Sequence, residues 1–406
     1  MRQKLDAAER MADEGRLTDA EIIFARTISS ASDPEAFVRF GHFLMRVGRL
    51  TQAEEMYHKA LTLTGAGENR WSATGYNSLG HIYKMRGSLE RAEDMYLQAL
   101  KIAERVDDHQ EISSAYANLG YVYETQGHLG KAEQMYRRAL DIAKGLDNRQ
   151  EMSRAYTSLG NVYQTRQGLD QAEQMYQLAL DMAKQVNYRQ GMSHAYTGLG
   201  IASLLRGDLD QAEQMHRLAL EIDEQLGDQE GMSRTYNNLG NVYRTRKDLD
   251  QAEQMFHQAL AIHEQLDHRM GISSDYTNLG TLYGSRGDLK QAEQMFRRAL
   301  QIDERLGHLQ GLSVGYTNLG NVYQARDMLE LAEQMYHQSL KIDEQLGDLR
   351  SMAVDYQNLG AMYKQQGKVA KAIESYRRAR DTLNQIGATA EAKQIGESLA
   401  ELQGTA

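Results

Sequence analysis

The segment His263-Glu264-Gln265-Leu266-Asp267-His268 is the nearest approach in this chain to a metal-binding signature. A zincin helix sets its two histidines four residues apart, on one helical face. Here they stand five apart, about 140° around a helix of 3.6 residues per turn. The imidazoles diverge, and helix-packing or surface histidine is the better reading. Other histidines occupy otherwise equivalent places: His216 stands where neighbouring segments carry an aromatic, and His257 and His337 sit one residue further on. Carboxylates are abundant, but Glu133, Glu173, Glu213, Glu253, Glu293 and Glu333 recur at an interval of 40 residues. A catalytic pair needs one unusual environment, whereas repetition supplies many similar ones. No P-loop, G-x-S-x-G elbow or dinucleotide fingerprint occurs. The chain has no cysteine, which excludes disulfides and thiolate chemistry. The expectation is no enzymatic activity, no metal and no cofactor.

What must position these residues is a repeat. Tyr116, Tyr156, Tyr196, Tyr236, Tyr276, Tyr316 and Tyr356 follow one another every 40 residues. A fixed period points to one elongated body instead of the two or three globular domains that 406 residues would suggest. One proline, Pro34, and abundant Ala, Leu, Glu, Gln and Arg favour helix throughout. The 46 basic and 56 acidic residues give a formal charge of -10, with both signs mixed along every repeat, which argues against a nucleic-acid partner. Apolar runs such as Ile201 to Leu205 fall far short of the roughly 20 residues of a membrane helix, so no membrane insertion is expected. The charged start, MRQKLDAAER, carries no secretory signal, and a cytoplasmic location is the expectation.

The period defines the predicted domains. Residues 1–33 form a degenerate first unit and 34–72 a second; eight units of 40 residues fill 73–387, and 388–406 form a capping helix and tail. The first helix of each long unit carries Tyr, Leu, Gly and Tyr at places 4, 7, 8 and 11, as in Tyr236, Leu239, Gly240 and Tyr243. Spacings of three and four put them on one helical stripe. The second helix carries Ala252, Phe256, Ala259 and Leu260 at places 20, 24, 27 and 28. A glycine in mid-helix costs about 1 kcal/mol against alanine, and close approach of the partner helix offsets it. The methionines at place 23, Met95 through Met335, read as inter-repeat packing. Capping looks weaker at the N-terminus, where Leu5, Met11, Ile22 and Ile23 need burial.

The pattern Y-x2-L-G-x2-Y followed by A-x3-F/Y-x2-A resembles the tetratricopeptide repeat, with Ser203, His216 and Ser339 among the departures. The usual repeat is about 34 residues long; this longer one is similar to the arrays of kinesin light chains and Pins-type polarity adaptors, which bind extended peptides in a concave groove. The resemblance implies an all-α solenoid, a right-handed superhelix of about ten helix-turn-helix units plus a C-terminal cap, acting as a non-enzymatic protein-interaction scaffold.

It also implies that first-helix places 2, 5, 6, 9, 12 and 13 line the groove. Here those places give Arg154 and Asn161, then Arg234, Asn237, Asn238, Asn241 and Arg244, then Asn278, then Asn318 and Asn321. An asparagine offers a donor and an acceptor to a peptide backbone, and Arg154, Arg234, Arg244, Lys84 and Lys364 would select acidic side chains. Ile201 and Leu205 replace polar groove residues and form an apolar patch. A role within the scaffold is the second reading of these asparagines. Some four or five such contacts supply roughly 2 to 7 kcal/mol gross, short of the ~8 kcal/mol of micromolar binding, so anchor side chains are required. The expected partner is a protein or an acidic peptide segment. Two other classes stay open: a self-assembling homo-oligomeric array, and a regulatory or sensor module of a larger effector system.

Overall fold

The computed structural model describes residues 1–28, 33–65 and 69–404. Parts of the first two predicted units (29–32 and 66–68) and the end of the predicted tail (405–406) lie outside the described residues. Among the described residues there are 21 helices and no strand. No helix among them is long and apolar enough to cross a membrane.

The chain divides into two compact units, Met1–Gly207 and Asp208–Ala406. The first holds α1 (Arg2–Asp13), α2 (Leu17–Ile28), α3 (Pro34–Arg46), α4 (Leu50–Thr64), α5 (Arg70–Met85), α6 (Leu89–Arg105), α7 (His109–Thr125), α8 (Leu129–Gly145), α9 (Arg149–Thr165), α10 (Leu169–Gln185) and α11 (Arg189–Arg206). The second holds α12 (Leu209–Leu226), α13 (Gln229–Arg246), α14 (Leu249–Gln265), α15 (Arg269–Arg286), α16 (Leu289–Leu306), α17 (Leu309–Ala325), α18 (Leu329–Leu346), α19 (Leu349–Gln365), α20 (Val369–Gln385) and α21 (Thr389–Gly404). Within each unit, successive helices pack as hairpins and each hairpin packs on the next: an α-solenoid arrangement.

The link between hairpins is built from two places in the period. Asp107, Asp147, Asn187, Gly227, Asp267, Gly307 and Gly347 all take a left-handed φ of 49–67°, which ends the helix and which only Gly, Asn and Asp adopt readily. The next residue is often an N-cap: Asp228 Oδ1 accepts from the Gly231 amide at 2.9 Å, satisfying a donor that the new helix leaves free.

Glycine at place 8 sets how closely a hairpin closes. A Cβ on Gly240 would stand 2.5 Å from a ring carbon of Phe256, and one on Gly160 2.5 Å from Tyr176. Both rings are buried to 1% exposure or less. Hairpins are then tied together by a polar ladder: Tyr163, Tyr243 and Tyr283 donate to Glu133, Glu213 and Glu253 of the preceding hairpin at 2.7, 2.7 and 2.6 Å. The recurrent carboxylates are thus structural. Glu213 also accepts from Arg246 at 2.6 Å. Burial alone would raise its carboxyl, but the Tyr243, Arg246 and Arg217 hydrogen bonds outweigh burial and hold it down to about 2. At Ser203 the phenol is missing; the serine donates to its own helix, at the Leu199 carbonyl, while Arg206 still meets Glu173 at 2.7 Å.

At the two ends, α21 buries Ala392, Ile395, Leu399 and Leu402 and exposes Lys393, Glu397 and Glu401. Near the start Leu5 is fully buried, Met11 and Ile23 are half-buried, and Ile22 stays exposed because it lies on the outer side of α2.

Two substitutions test this packing. Gly240→Val should destabilise the fold by about 1–3 kcal/mol through overpacking, whereas Gly284→Ala, with nothing within 4 Å of the added Cβ, should stabilise it by about 0.5–1 kcal/mol; urea unfolding reads both. Glu213→Gln should cost about 1–2 kcal/mol at neutral pH. Because the folded carboxyl lies below the ordinary 4.5, that difference should be present above 4.5 and shrink as pH falls towards 2, as unfolding titrations at several pH values would show.

Candidate peptide-binding groove

In the first unit, α5, α7, α9 and α11 stand side by side, so equivalent places on them share one face. That face holds a cleft of about 720 Å³ whose walls include His81, Lys84, Tyr121, Arg154, Asn161 and Tyr188. Among the described residues no carboxylate lies within 4 Å of the Lys84 ammonium. It stands instead 4.6 Å from the centre of the Tyr121 ring, and burial pulls its pKa down. Burial likewise lowers His81, and the Lys84 charge adds to this. A cation partly stripped of water, with only a ring face for company, gains from any anion brought to it. Across the cleft Arg154 lies over Tyr188, 5.3 Å from the ring centre, donates to the Tyr188 hydroxyl at 3.1 Å and pairs with Glu151 at 2.7 Å. Asn161 is exposed and accepts from the Tyr176 hydroxyl at 2.8 Å, with no hydrogen bond from its amide NH2 among the described residues. Tyr121 and Tyr188 were missed from sequence. Tyr188 had a signal: it replaces the polar cap residue found at that place as Asp108, Asn148 and Asp228.

The second unit places its candidates differently. Arg234 is exposed and makes no hydrogen bond or ion pair among the described residues. Asn237 is engaged within the scaffold, donating to Asp275 at 2.7 Å and accepting from Asn278 at 2.9 Å. Asn238 is half-buried, with its side-chain nitrogen enclosed and unpartnered. Asn241 accepts from Arg244 at 3.3 Å. Asn318 is half-buried, and Asn321 is exposed but receives the Tyr336 hydroxyl at 2.8 Å. The asparagines are therefore not a uniform row of free amides: α13 and α15 use two of them on each other.

Comparison with known proteins assigns the repeat. The tetratricopeptide repeat family profile matches residues 33–105, 71–145, 151–225, 231–305 and 312–385. The chain belongs to the tetratricopeptide repeat family. No curated protein matches it in sequence. Among solved structures it is similar to the apo form of the quorum sensor NprR from B. thuringiensis, at 14% identity over 84% of this chain and 98% of that one, with a TM-score of 0.62. A STAND signal transduction ATPase with a tetratricopeptide repeat sensor from Pyrococcus horikoshii gives 15% identity over 91% and 56%, at 0.61. The apo form of RapI gives 16% over 68% and 99%, at 0.56. These likenesses concern the fold; the kinesin light chain and Pins-type likeness stays an expectation drawn from repeat length.

One constellation in the tetratricopeptide array has the form of a hydrolytic triad. Ser233 Oγ lies 2.9 Å from His263 Nε2, and His263 Nδ1 lies 2.6 Å from Asp275. Nucleophile, base and orienting acid are in register. Yet Ser233 and Asp275 are fully buried and the serine hydroxyl donates to the Glu230 carbonyl at 2.9 Å, so no substrate carbonyl reaches it. The same contacts occupy His263 on both nitrogens. Among the described residues no group of three or more His, Asp or Glu side chains can hold a metal.

The apolar candidates sit on α11, with Ile201 half-buried and Leu205 57% exposed. Leu205→Asp should therefore leave stability unchanged within ~0.5 kcal/mol. If the patch receives an apolar anchor, the same change should weaken peptide binding roughly tenfold, measured by fluorescence anisotropy.

Proposed function

We propose that this tetratricopeptide array is a non-enzymatic scaffold that captures an extended, acidic segment of a partner protein along the first-helix face. The observation that carries this reading is the first-unit cleft. Lys84 there is a half-buried cation without an acidic partner, and an aromatic flanks each of its two cations, Lys84 at Tyr121 and Arg154 at Tyr188. An acidic side chain at Lys84 would make a charge-assisted bond in a place already partly dehydrated. Asn161, on α9 with Arg154, makes no hydrogen bond through its amide nitrogen among the described residues and suits the backbone of an extended chain. In the second unit, taken by itself, Arg234 is an exposed cation without an ion pair among the described residues. Other arrays of this fold include a quorum sensor and a Rap protein solved complexed with Competence and Sporulation Factor; by extension, this chain acts as a cytoplasmic receptor for a segment of its partner.

A random-peptide display selection tests the reading. The wild-type chain should enrich sequences with clustered Asp or Glu, and Lys84→Glu with Arg154→Glu should bind those peptides at least about tenfold more weakly, a loss of ~1.4 kcal/mol or more. Peptides that lack acidic residues, bound equally by both proteins, would sink it.

A further inference from the structure

One buried slot recurs along the array, between the residue at place 31 of a repeat and the residue at place 3 of the next. In the first unit methyl groups fill it: Ala103 with Ala115, Ala143 with Ala155, Ala183 with Ala195, all buried. In the second unit it turns polar, and each acid finds a donor. Asp223 accepts from Thr235 at 3.3 Å. Asp275 meets His263 at 2.6 Å. Asp303, opposite Gly315, accepts from Ser273 at 2.7 Å and meets His308 Nδ1 at 3.0 Å.

The slot between α18 and α19 differs in its pairing. It holds two acids, Asp343 and Asp355, both fully buried. Ser313 donates to Asp343 at 2.5 Å and Thr317 to Asp355 at 2.7 Å. The second carboxyl oxygen of each, Oδ2, is enclosed and has no partner. The two carboxyls lie within hydrogen-bonding reach of each other. Around them α17 offers Ser313 and Thr317, α18 offers Ser339 and the Tyr336 phenol, and the N-cap of α19 adds the negative Asp348. Among the described residues no Lys, Arg or His comes within 4 Å of either carboxyl. Two enclosed carboxyls within reach of each other lack a donor between them, and a single proton supplies it.

We propose that Asp343 and Asp355 form a shared-proton joint between α18 and α19, and that loss of this proton loosens that hairpin contact. With the proton in place, Asp355 donates to Asp343 and one negative charge remains. Without it, two charges face each other away from water, which the fold relieves by opening. Burial lifts Asp355 to about 7, opposed by the Ser339 and Thr317 hydroxyls and reinforced by Asp343; burial likewise raises Asp343. A folded carboxyl raised above its ordinary 3.8 contributes stability that is complete below 3.8 and is lost as pH rises through about 7.

The array supplies its own control, because Ala143 and Ala155 fill the equivalent slot. In hydrogen exchange of α18 and α19, corrected for the intrinsic rate and read where exchange follows the opening equilibrium, the wild-type chain should open about tenfold more often at pH ~8 than at pH ~6. The double variant Asp343→Ala, Asp355→Ala should fold and show no such difference. Infrared spectra at the lower pH should show a protonated carboxyl band in the wild type that the double variant lacks. Equal opening at the two pH values in the wild type, a pH difference that persists in the double variant, or absence of the carboxyl band would each overturn the proposal.

Discussion

The distance between the two helices of a hairpin governs the rest of this structure, and one contact sets it. At Gly80, Gly120, Gly160, Gly240, Gly280 and Gly320 an added Cβ would stand 2.5–2.6 Å from the ring of the facing aromatic. Each glycine costs about 1 kcal/mol of helix propensity, and a buried ring recovers about 1.5–3 kcal/mol by leaving water. The exchange is favourable only if the ring lies flat against the bare backbone, so the helix separation is fixed within tenths of an ångström. Because the same contact recurs at the same place, the hairpins share one shape and can stack.

From that separation the ladder follows. The tyrosine at place 11 reaches the glutamate of the preceding hairpin only when both hairpins have the same depth, and it does so repeatedly at 2.5–3.1 Å. The ladder takes up the carboxylates and many arginines on one side of the stack, for example Arg246, Arg286 and Arg166. Cations on the first-helix face are outside it. Lys84 and Arg234 make no ion pair among the described residues, which they share with many cations of the array; Lys84 stands apart because it is half-buried against the Tyr121 ring.

Periodicity made the architecture legible in the sequence: Tyr236, Leu239, Gly240 and Phe256 revealed the hairpin, its stripe and the reason for its glycine. In the first unit, places 2, 9 and 12 line one cleft, as at Arg154, Asn161 and Lys84. Partner assignment was not legible. Spacing tells which way Asn237 faces, but its bonds to Asp275 and Asn278 lie 38 and 41 residues away, and whether an amide is free depends on residues there that differ from repeat to repeat. The buried slot did leave a trace. Place 31 reads Ala, Ala, Ala, then Asp223, His263, Asp303 and Asp343, a change from methyl to ionisable groups at a core position. Attention to the residues that repeat hid it; the departures carried the information.

Those departures bear on how near-identical repeats find their proper neighbours. Repeat arrays misassemble when a hairpin docks on the wrong copy, and in the first unit the Ala-with-Ala slots offer no penalty for doing so. In the second unit skipping one repeat would set Asp223 against Asp275, His263 against Gly315, or Asp303 against Asp355. The first buries a pair of acids away from Thr235 and His263, the second leaves a histidine without its acid, and the third sets a second acid beside the one that His308 already meets. Each error costs more than the loss of a single hydrogen bond, because an unpaired buried charge is far more expensive than an unfilled contact. The polar slots therefore distinguish repeats that their shared glycines and aromatics leave equivalent. The native Asp343–Asp355 contact is the one place where correct register itself brings two acids together, which is why it alone among these slots requires a proton to close.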